Sequence, residues 1–170
     1  MTTQSLLTKT PQNTNFLQTA KYTFVIPTLP FAKYFCQTVG FPGVSTSEIP
    51  VATPFSNTYR HGEKLVYDSL TINIMIDEDF YTWEETYNWL KAITKPTDFK
   101  EYNSRINGSI YHDGFLTLNT NANNPNLRIK FKDCHPTTLG GIQFSTMDNA
   151  EVVPTCDVTF RYDYFELERI

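Results

Sequence analysis

The chain has 170 residues, of which 40% are hydrophobic and 15% aromatic, and it carries a net charge of −4. This length suffices for one domain with its own core, and the acidic balance without a basic cluster argues against a sequence-specific nucleic-acid reader. Cys36, Cys134 and Cys156 are widely spaced and match no metal-binding spacing. We therefore expect reduced, buried thiols in a protein that is made in a cytoplasm.

The first twenty residues are rich in Thr, Asn and Gln and contain no apolar run with a cleavage site. No stretch reaches the roughly eighteen apolar residues that a membrane span needs, so we expect no membrane insertion. We predict an N-terminal arm at 1–20 and a single domain at 21–170. The arm is either mobile or becomes ordered on a neighbouring molecule.

Residues 22–29 combine β-branched and aromatic side chains and predict a strand, in which Pro27 marks an edge or an end. A second strand is predicted at 32–39, followed by a turn at Gly40 to Gly43. Residues 44–68 alternate weakly. We predict a strand at 48–53, a turn near Ser56 and Asn57, and a return strand at 58–61.

Phe55 and Tyr59 are aromatic residues in this otherwise polar hairpin. They either fold back onto the core or anchor a partner subunit, as exposed aromatic side chains in protein interfaces commonly do. Together with Arg60 they are the candidate subunit interface.

Residues 69–94 show a period of two that changes into a period near 3.6. Leu70, Ile72, Ile74 and Ile76 alternate with more polar residues and predict a strand with one buried face. The acidic group Asp77 to Asp79 closes this strand. It is best explained by the start of a helix, with a Ca²⁺ site as the alternative.

A capping box of Thr82 and Glu85 predicts the helix start, and Pro96 stops the helix. We predict that its buried face contains the aromatic and aliphatic residues spaced four, three and three, namely Trp83, Tyr87, Leu90 and Ile93 or Thr94.

A polar connection at 95–113 is long for a compact domain and suggests a role of its own. Strands at 115–120 and 127–132 flank the turn sequence NANNPN and form an antiparallel hairpin. One face of this hairpin is basic and contains Arg128, Lys130 and Lys132.

A short strand is predicted at 142–145 after the turn Gly140-Gly141, and a long one at 154–164. In the long strand the inward residues are predicted to be Cys156, Val158, Phe160, Tyr162 and Tyr164. The outward ones are Thr155, Asp157, Thr159, Arg161 and Asp163. The pattern as a whole predicts a mainly β (α+β) fold: an antiparallel β-barrel or sandwich with one flanking α-helix.

Enzymatic motifs are not apparent. His61, His112 and His135 lie far apart, and no phosphate loop, nucleophile elbow or dinucleotide fingerprint is present. Cys134-His135 is the one adjacent pair that a catalytic dyad could use, with an ordinary strand-end cysteine as the alternative. We expect no enzyme activity, no cofactor and no metal.

The run FCQTVGFPGVSTSEIPVATPF and the run YRHGEKLVYDSLTINIMIDEDFYTWEETYNWLKAI resemble the tail tube proteins of contractile-tailed bacteriophages. They are particularly similar to the tube proteins that initiate the tube at the baseplate. The closing run FKDCHPTTLGGIQFSTMDNAEVVPTCDVTFRYDYFEL resembles the end of the same family. The resemblance covers residues 20–168.

This resemblance implies a tail-tube-like β-barrel in the virion, six copies of which form a ring that encloses a channel for DNA. The implied partners are copies of itself, other tube, sheath or baseplate proteins, and DNA that passes through non-specifically. A ring also uses open strand edges without runaway growth.

A DNA channel should avoid a basic wall, because phosphate contacts add up. We therefore predict that Asp157 and Asp163 face the lumen and that the face with Arg128, Lys130 and Lys132 points elsewhere. A monomeric β-barrel that binds a small apolar ligand remains the alternative function.

Overall fold

A computed structural model describes residues 14–94, 109–147 and 152–170, and over these residues the chain forms nine strands and two helices. All strand pairs are antiparallel. The strands are β1 (Tyr22–Val25), β2 (Cys36–Gly40), β3 (Val44–Ala52), β4 (Asn57–Tyr67), β5 (Leu70–Met75), β6 (His112–Asn119), β7 (Pro125–Leu139), β8 (Thr155–Arg161) and β9 (Phe165–Arg169). The helices are α1 (Ala32–Phe35) and α2 (Tyr81–Ile93). The mainly antiparallel β fold with a flanking helix is thereby confirmed.

Seven strands form one sheet in the order β1-β6-β7-β8-β5-β2, and β9 also pairs with β7. The long strand β7 joins the two halves of this sheet, because its first part lies between β6 and β9 and its end pairs with β8. Between these parts Asp133 adopts a φ of 55°. Aspartate is among the few residues that tolerate this left-handed conformation, which changes the direction of the strand.

The two ends of the sheet approach each other. The Tyr22 hydroxyl of β1 donates a hydrogen bond to the Gln37 carbonyl of β2 at 2.7 Å, whereas the described residues show no backbone ladder between these strands. The result is a barrel that is open along the seam between β1 and β2.

The core contains the predicted alternation of β5. Leu70, Ile72 and Ile74 are buried and lie opposite Phe160, Val158 and Cys156 of β8. Each buried aliphatic side chain stabilises the fold by about 1.5–3 kcal/mol, and a shift of one residue would place threonine and asparagine in the core.

Helix α2 covers the core with a different face from the predicted one. Its buried residues are Thr82, Thr86, Trp89 and Ala92, whereas Tyr87 is exposed. The buried residues have the predicted spacing of four, three and three, but each lies one position before the predicted one. The two threonines can be buried because their hydroxyls are hydrogen-bonded: Thr82 donates to Asp77 at 2.6 Å and Thr86 donates to the Thr82 carbonyl at 3.4 Å.

The predicted capping box is also wrong. The N-cap position is Phe80, with a φ of 64° and no side-chain cap. Instead the Asp77 carboxylate accepts hydrogen bonds from the backbone amides of Tyr81 and Thr82 at 3.0 and 2.8 Å.

Three predicted strands need correction. The strand at 32–39 begins as helix α1, and only its second half is strand β2. Residues 142–145 are not a strand. The strand predicted at 154–164 ends at Arg161, so Tyr164 is exposed instead of inward. After this bend the chain forms β9, a strand that was not predicted from the sequence.

The turn NANNPN is confirmed, with Asn123 in a left-handed conformation (φ 63°) and its amide donating to the Thr120 carbonyl at 2.8 Å. Much of the predicted arm and of the long connection, namely 1–13 and 95–108, falls outside the described residues. Among those that are described, no helix has the length and apolar character needed to cross a membrane.

Candidate functional site

Strands β3 and β4 form a separate hairpin that extends from the domain. Every residue from Val44 to Val66 is exposed except Gly62, which is half-buried. The hairpin continues the pair β2 and β5 beyond the kink at Gly43 and Asp68, where the Asp68 amide donates to the Gly43 carbonyl at 3.0 Å. Its residues are therefore presented to solvent on both faces.

The exposed residues of the hairpin include large apolar side chains: Val44, Ile49, Val51, Phe55, Tyr59, Leu65 and Val66. Phe55 lies in the turn at the tip and is 100% exposed. In this turn the Thr53 amide donates to the Ser56 carbonyl at 3.1 Å, which closes the hairpin. These side chains lie on both faces of the hairpin, and exposed apolar side chains in this number indicate an interaction site.

The three candidate interface residues all lie on this hairpin. Tyr59 is opposite Pro50 in the strand register, and Arg60 is opposite Ile49. Because neighbouring side chains of a strand point to opposite faces, Tyr59 and Arg60 lie on different faces of the hairpin. Phe55 and Tyr59 do not fold back onto the core, since both are exposed.

A cluster of aromatic rings fixes the base of the hairpin. Phe165 of β9 makes edge contacts with Phe41 and Tyr67, each at a centroid distance of 5.4 Å. Tyr67 also contacts Tyr162 at 6.0 Å, and Tyr162 contacts Phe131 at 5.1 Å. Burial raises the pKa of the Tyr162 phenol to about 12, so this ring is neutral. The base of the hairpin is thus anchored in the core, whereas the rest of the hairpin lies outside it.

Asp157 lies in the centre of a polar face formed by β2, β5, β8 and the end of β7. Asn73 donates a side-chain hydrogen bond to the Asp157 carboxylate at 2.7 Å, and Thr38 is the next partner across the sheet. The other residues of this face are mostly threonines, namely Thr71, Thr138, Thr155 and Thr159. Arg161 lies at its edge, at the end of β8, and its guanidinium donates a hydrogen bond to the Tyr67 carbonyl at 3.2 Å. We name this surface the threonine face.

Asp163 does not share a strand with Asp157. It lies in the bend between β8 and β9, is exposed, and its amide donates to the Lys132 carbonyl at 3.0 Å. Strand β8, which holds Asp157, ends at Arg161, and the bend that follows turns the chain away from it. The structure therefore does not bring the two candidate lumen residues together.

The predicted basic face is present, and its charge is partly offset by acidic partners. Lys130 and Lys132 each lie 3.1 Å from the Asp113 carboxylate, and Arg128 lies 3.7 Å from Glu168. Burial raises the pKa of Asp113, but hydrogen bonds from Lys130, Lys132 and the Asp133 amide outweigh this effect and lower it. This ion-paired face lies on β6, β7 and β9, away from the threonine face.

An apolar groove of about 480 Å³ opens beside the seam between β1 and β2. Its floor contains the buried residues Leu116 and Ile129, and its rim contains the exposed residues Leu17, Phe41 and Leu167. None of its lining residues is charged. No pattern in the sequence predicted this groove. The alternation of apolar and charged residues in FELER could have predicted the strand that holds Leu167. That this strand meets the distant segments around Leu17 and Val39 could not be predicted from residue spacing.

The cysteine and histidine pair does not form a dyad. Cys134 is buried in the core, and burial raises its pKa to about 12. The neighbouring His135 packs its ring against Tyr111 at 5.3 Å, on the other side of the strand. All three cysteines are free thiols, and Cys36 is half-buried instead of buried.

Comparisons with known proteins identify the class of this fold. The family model described as "Phage tail tube protein" matches residues 31–168. The tail tube terminator protein of Enterobacteria phage T4 is 24% identical over 136 residues, which is 78% of this chain and 76% of that protein.

Two solved structures share the fold at low sequence identity. The tube terminating cap of the anti-feeding prophage superimposes with a TM-score of 0.69 and 11% identity, covering 98% of this chain and 100% of that one. A chain of the sheath-tube complex of the extracellular contractile injection system PVC superimposes with a TM-score of 0.65 and 12% identity. The match covers 91% of this chain and 92% of that one.

The chain therefore shares its fold with that tube terminating cap and with a chain of that sheath-tube complex. The family match covers most of the chain, and the chain belongs to the phage tail tube protein family. The family predicted from the sequence is confirmed, and with it a structural role in the virion.

Proposed function

We propose that six copies of this chain form a ring at an end of the inner tube of a contractile tail and enclose a channel for DNA. The ring is made in the cytoplasm of the host and contacts neighbouring tube, sheath or baseplate proteins. The sequence predicted a repeated tube subunit or a baseplate-proximal initiator. The name of the T4 relative, a tail tube terminator, favours a terminating position.

The observation that carries this proposal is the hairpin of β3 and β4. A two-stranded hairpin on its own is marginally stable in water, and this one exposes seven large apolar side chains. Contacts with neighbouring copies would cover these side chains and stabilise the extended conformation. Ring closure limits the number of copies and so prevents fibre formation.

The first test removes the aromatic side chains of the candidate interface. The double variant Phe55→Ser, Tyr59→Ser should fold normally, because both residues are exposed and far from the core. We expect its assembly midpoint, measured by light scattering against protein concentration, to rise at least tenfold. The matched control is Tyr34→Ser, Phe144→Ser, which removes two aromatic residues of similar exposure elsewhere. Unchanged ring formation in the first variant would refute the anchor role.

We further propose that the threonine face, with Asp157 in its centre, lines the lumen. The threonines of this face are uncharged, and its one carboxylate, on Asp157, is matched by one guanidinium, on Arg161 at the end of β8. Such a face offers DNA phosphates fewer attractive contacts than a wall of lysines, which would retain the DNA. Asp163 belongs to the lumen only if the bend after β8 also faces the channel. The ion-paired face then points away from the DNA.

The test of this proposal adds a positive charge to the channel wall. A phage that carries Asp157→Lys should eject its DNA several-fold more slowly, and the delay should shrink at high salt as phosphate contacts are screened. Glu168→Lys adds the same charge on the ion-paired face and should leave the rate unchanged. A delay in the second phage and none in the first would reverse the assignment of the faces.

The alternative function, a monomeric barrel that holds a small apolar ligand, is favoured by the groove alone, since its volume lies in the range of about 300–1,000 Å³ typical of ligand sites. Native mass spectrometry distinguishes the two functions. A monomer with a bound small molecule at all concentrations would support the alternative.

A further inference from the structure

The groove and the hairpin tip share one chemical property, which is the absence of charge. Residues 49–59 form an eleven-residue stretch without a charged side chain. The groove is lined by residues that are likewise uncharged and mainly aliphatic. Burial of two such surfaces against each other leaves no unpaired ion, and depletion of charge marks the centre of protein interfaces.

The tip cannot reach the groove of its own chain. The groove is lined by Val39 and Phe41, which lie at the base of the hairpin. Strand β3 has nine residues, and an extended strand rises about 3.3 Å per residue, so the tip is roughly 30 Å from this base. The hydrogen-bonded pair of strands cannot fold back over that distance.

From these observations we propose that the hairpin tip with Phe55 inserts into the apolar groove of a second copy of this chain. The inference rests on the proposed ring and names the surface that receives each hairpin. Such a contact is heterologous, because a tip on one copy meets a groove on the next. A heterologous contact closes into a ring when the rotation between successive copies divides a full turn evenly, which the proposed sixfold ring requires.

The groove is suited to this occupant. Its floor residues Leu116 and Ile129 are fixed by the sheet, whereas its rim residues Leu17 and Leu167 are about 60% exposed and gain burial from an inserted side chain. The groove of about 480 Å³ has room for more than one side chain. An aromatic residue in a desolvated pocket is the common form of an interface hot spot.

The test uses a photoreactive benzoylphenylalanine in place of Phe55, with full-length chains. Tagged chains that carry the probe are mixed with ¹⁵N-labelled chains that lack it, irradiated and analysed by mass spectrometry. We expect cross-links to peptides that contain Leu116, Ile129 or Leu167, and we expect them in the labelled chain. The same probe at Phe144, an exposed position outside the hairpin, should not label these peptides.

A substitution in the rim tests the same contact from the receiving side. Leu167→Ser should lower the cross-link yield from position 55 at least fivefold and weaken assembly. Glu166→Ser, one residue away and on the opposite face of β9, should do neither. Because both residues are on the surface strand β9, the two variants should melt within a few degrees of the wild type.

The outcomes of these experiments distinguish the proposed contact between tip and groove from the proposed ring. Cross-links to another surface, or within one chain, in an intact ring would overturn the groove inference and leave the ring proposal standing. A small molecule that co-purifies and is lost in Leu167→Ser would likewise overturn it. Chains that remain monomeric at all concentrations would overturn the proposed function itself.

Discussion

Asp77 organises the start of helix α2 although it lies outside the helix. Its carboxylate accepts hydrogen bonds from two backbone amides and from the buried Thr82 hydroxyl. These amides would otherwise lack partners, since the first turn of a helix leaves its N–H groups unsatisfied. The negative charge is also favourable near the positive end of the helix dipole. One carboxylate thus provides the hydrogen-bond acceptor for two amides of the first helical turn and for a hydroxyl buried in the core.

Asp77→Ala should therefore destabilise the domain by about 1–2 kcal/mol at pH 7, the usual cost of a lost cap. Burial raises the pKa of Asp77, but the hydrogen bonds from Thr82 and Tyr81 lower it by more, so the folded pKa is below the unfolded value. The contribution of Asp77 is then complete above the unfolded pKa of about 3.9 and is lost as the pH falls through the lower folded pKa.

Urea unfolding of the wild type and Asp77→Ala at pH 7, 5 and 3 measures this difference. It should be the same at pH 7 and 5 and smaller at pH 3. The measurements belong in the Phe55→Ser, Tyr59→Ser background, because assembly would otherwise add to apparent stability. Glu78→Ala, at the exposed neighbouring position, should change little. A difference that grows at pH 3 would contradict this role of Asp77.

At the scale of elements, the hairpin of β3 and β4 depends on Gly62. The register between the strands shifts at Thr46 and Glu48, and at this bulge a Cβ atom on Gly62 would overlap both the hydroxyl and the carbonyl oxygen of Ser47. Only glycine permits this close backbone approach. Because the hairpin makes few contacts with the core, a distortion at this position should leave the packing of the core unchanged.

Gly62→Ala should consequently separate folding from assembly. We expect the melting temperature to fall by less than about 4 °C, the change that roughly 1 kcal/mol causes in a domain of this size. Amide exchange at residues 44–67 should become fast, and assembly should fail. Gly141→Ala, where an added Cβ meets nothing within 4 Å, serves as the control. Normal assembly of Gly62→Ala would show that the paired hairpin is not what neighbouring copies bind.

The elements differ in how well the sequence predicts them, and each difference has a physical cause. Strand β5 was predictable because strict alternation of aliphatic and polar residues fixes one buried face. The face of α2 was not, because Thr82 and Thr86 are buried through hydrogen bonds that are invisible in a pattern of apolar residues. The aromatic Trp83 and Tyr87 instead stack on each other at 5.2 Å, with Trp83 half-buried at the edge of the core and Tyr87 exposed.

The site was predictable only in part for a related reason. Phe55, Tyr59 and Arg60 lie on the exposed hairpin, because prolines and polar residues prevented a buried alternation there. The bend after Arg161 separates Asp163 from Asp157, and strict alternation gave no sign of it. The groove combines Leu17, Val39 and Leu167, three residues that are distant in sequence and meet only through the sheet order.

Across the protein, charge is kept away from the hairpin tip at 49–59 and from the apolar groove. The chain carries a net charge of −4, yet the tip of the hairpin and the groove are uncharged. Arg128, Lys130 and Lys132 of the sheet are paired with Glu168 and Asp113. Copies in a ring therefore repel one another weakly over long range and attract one another through apolar contact.

Salt concentration separates these two forces. At 0.5 M salt the Debye length is only about 4 Å, so repulsion between acidic copies is screened while apolar contact is not weakened. We expect the assembly midpoint to fall, by about two- to fivefold, between 50 mM and 500 mM NaCl in light-scattering titrations. If Arg60 instead formed an essential ion pair across the interface, the midpoint would rise with salt. Arg60→Gln provides the matched variant: it should retain the salt response of the wild type if apolar contact dominates, and lose it if an ion pair does.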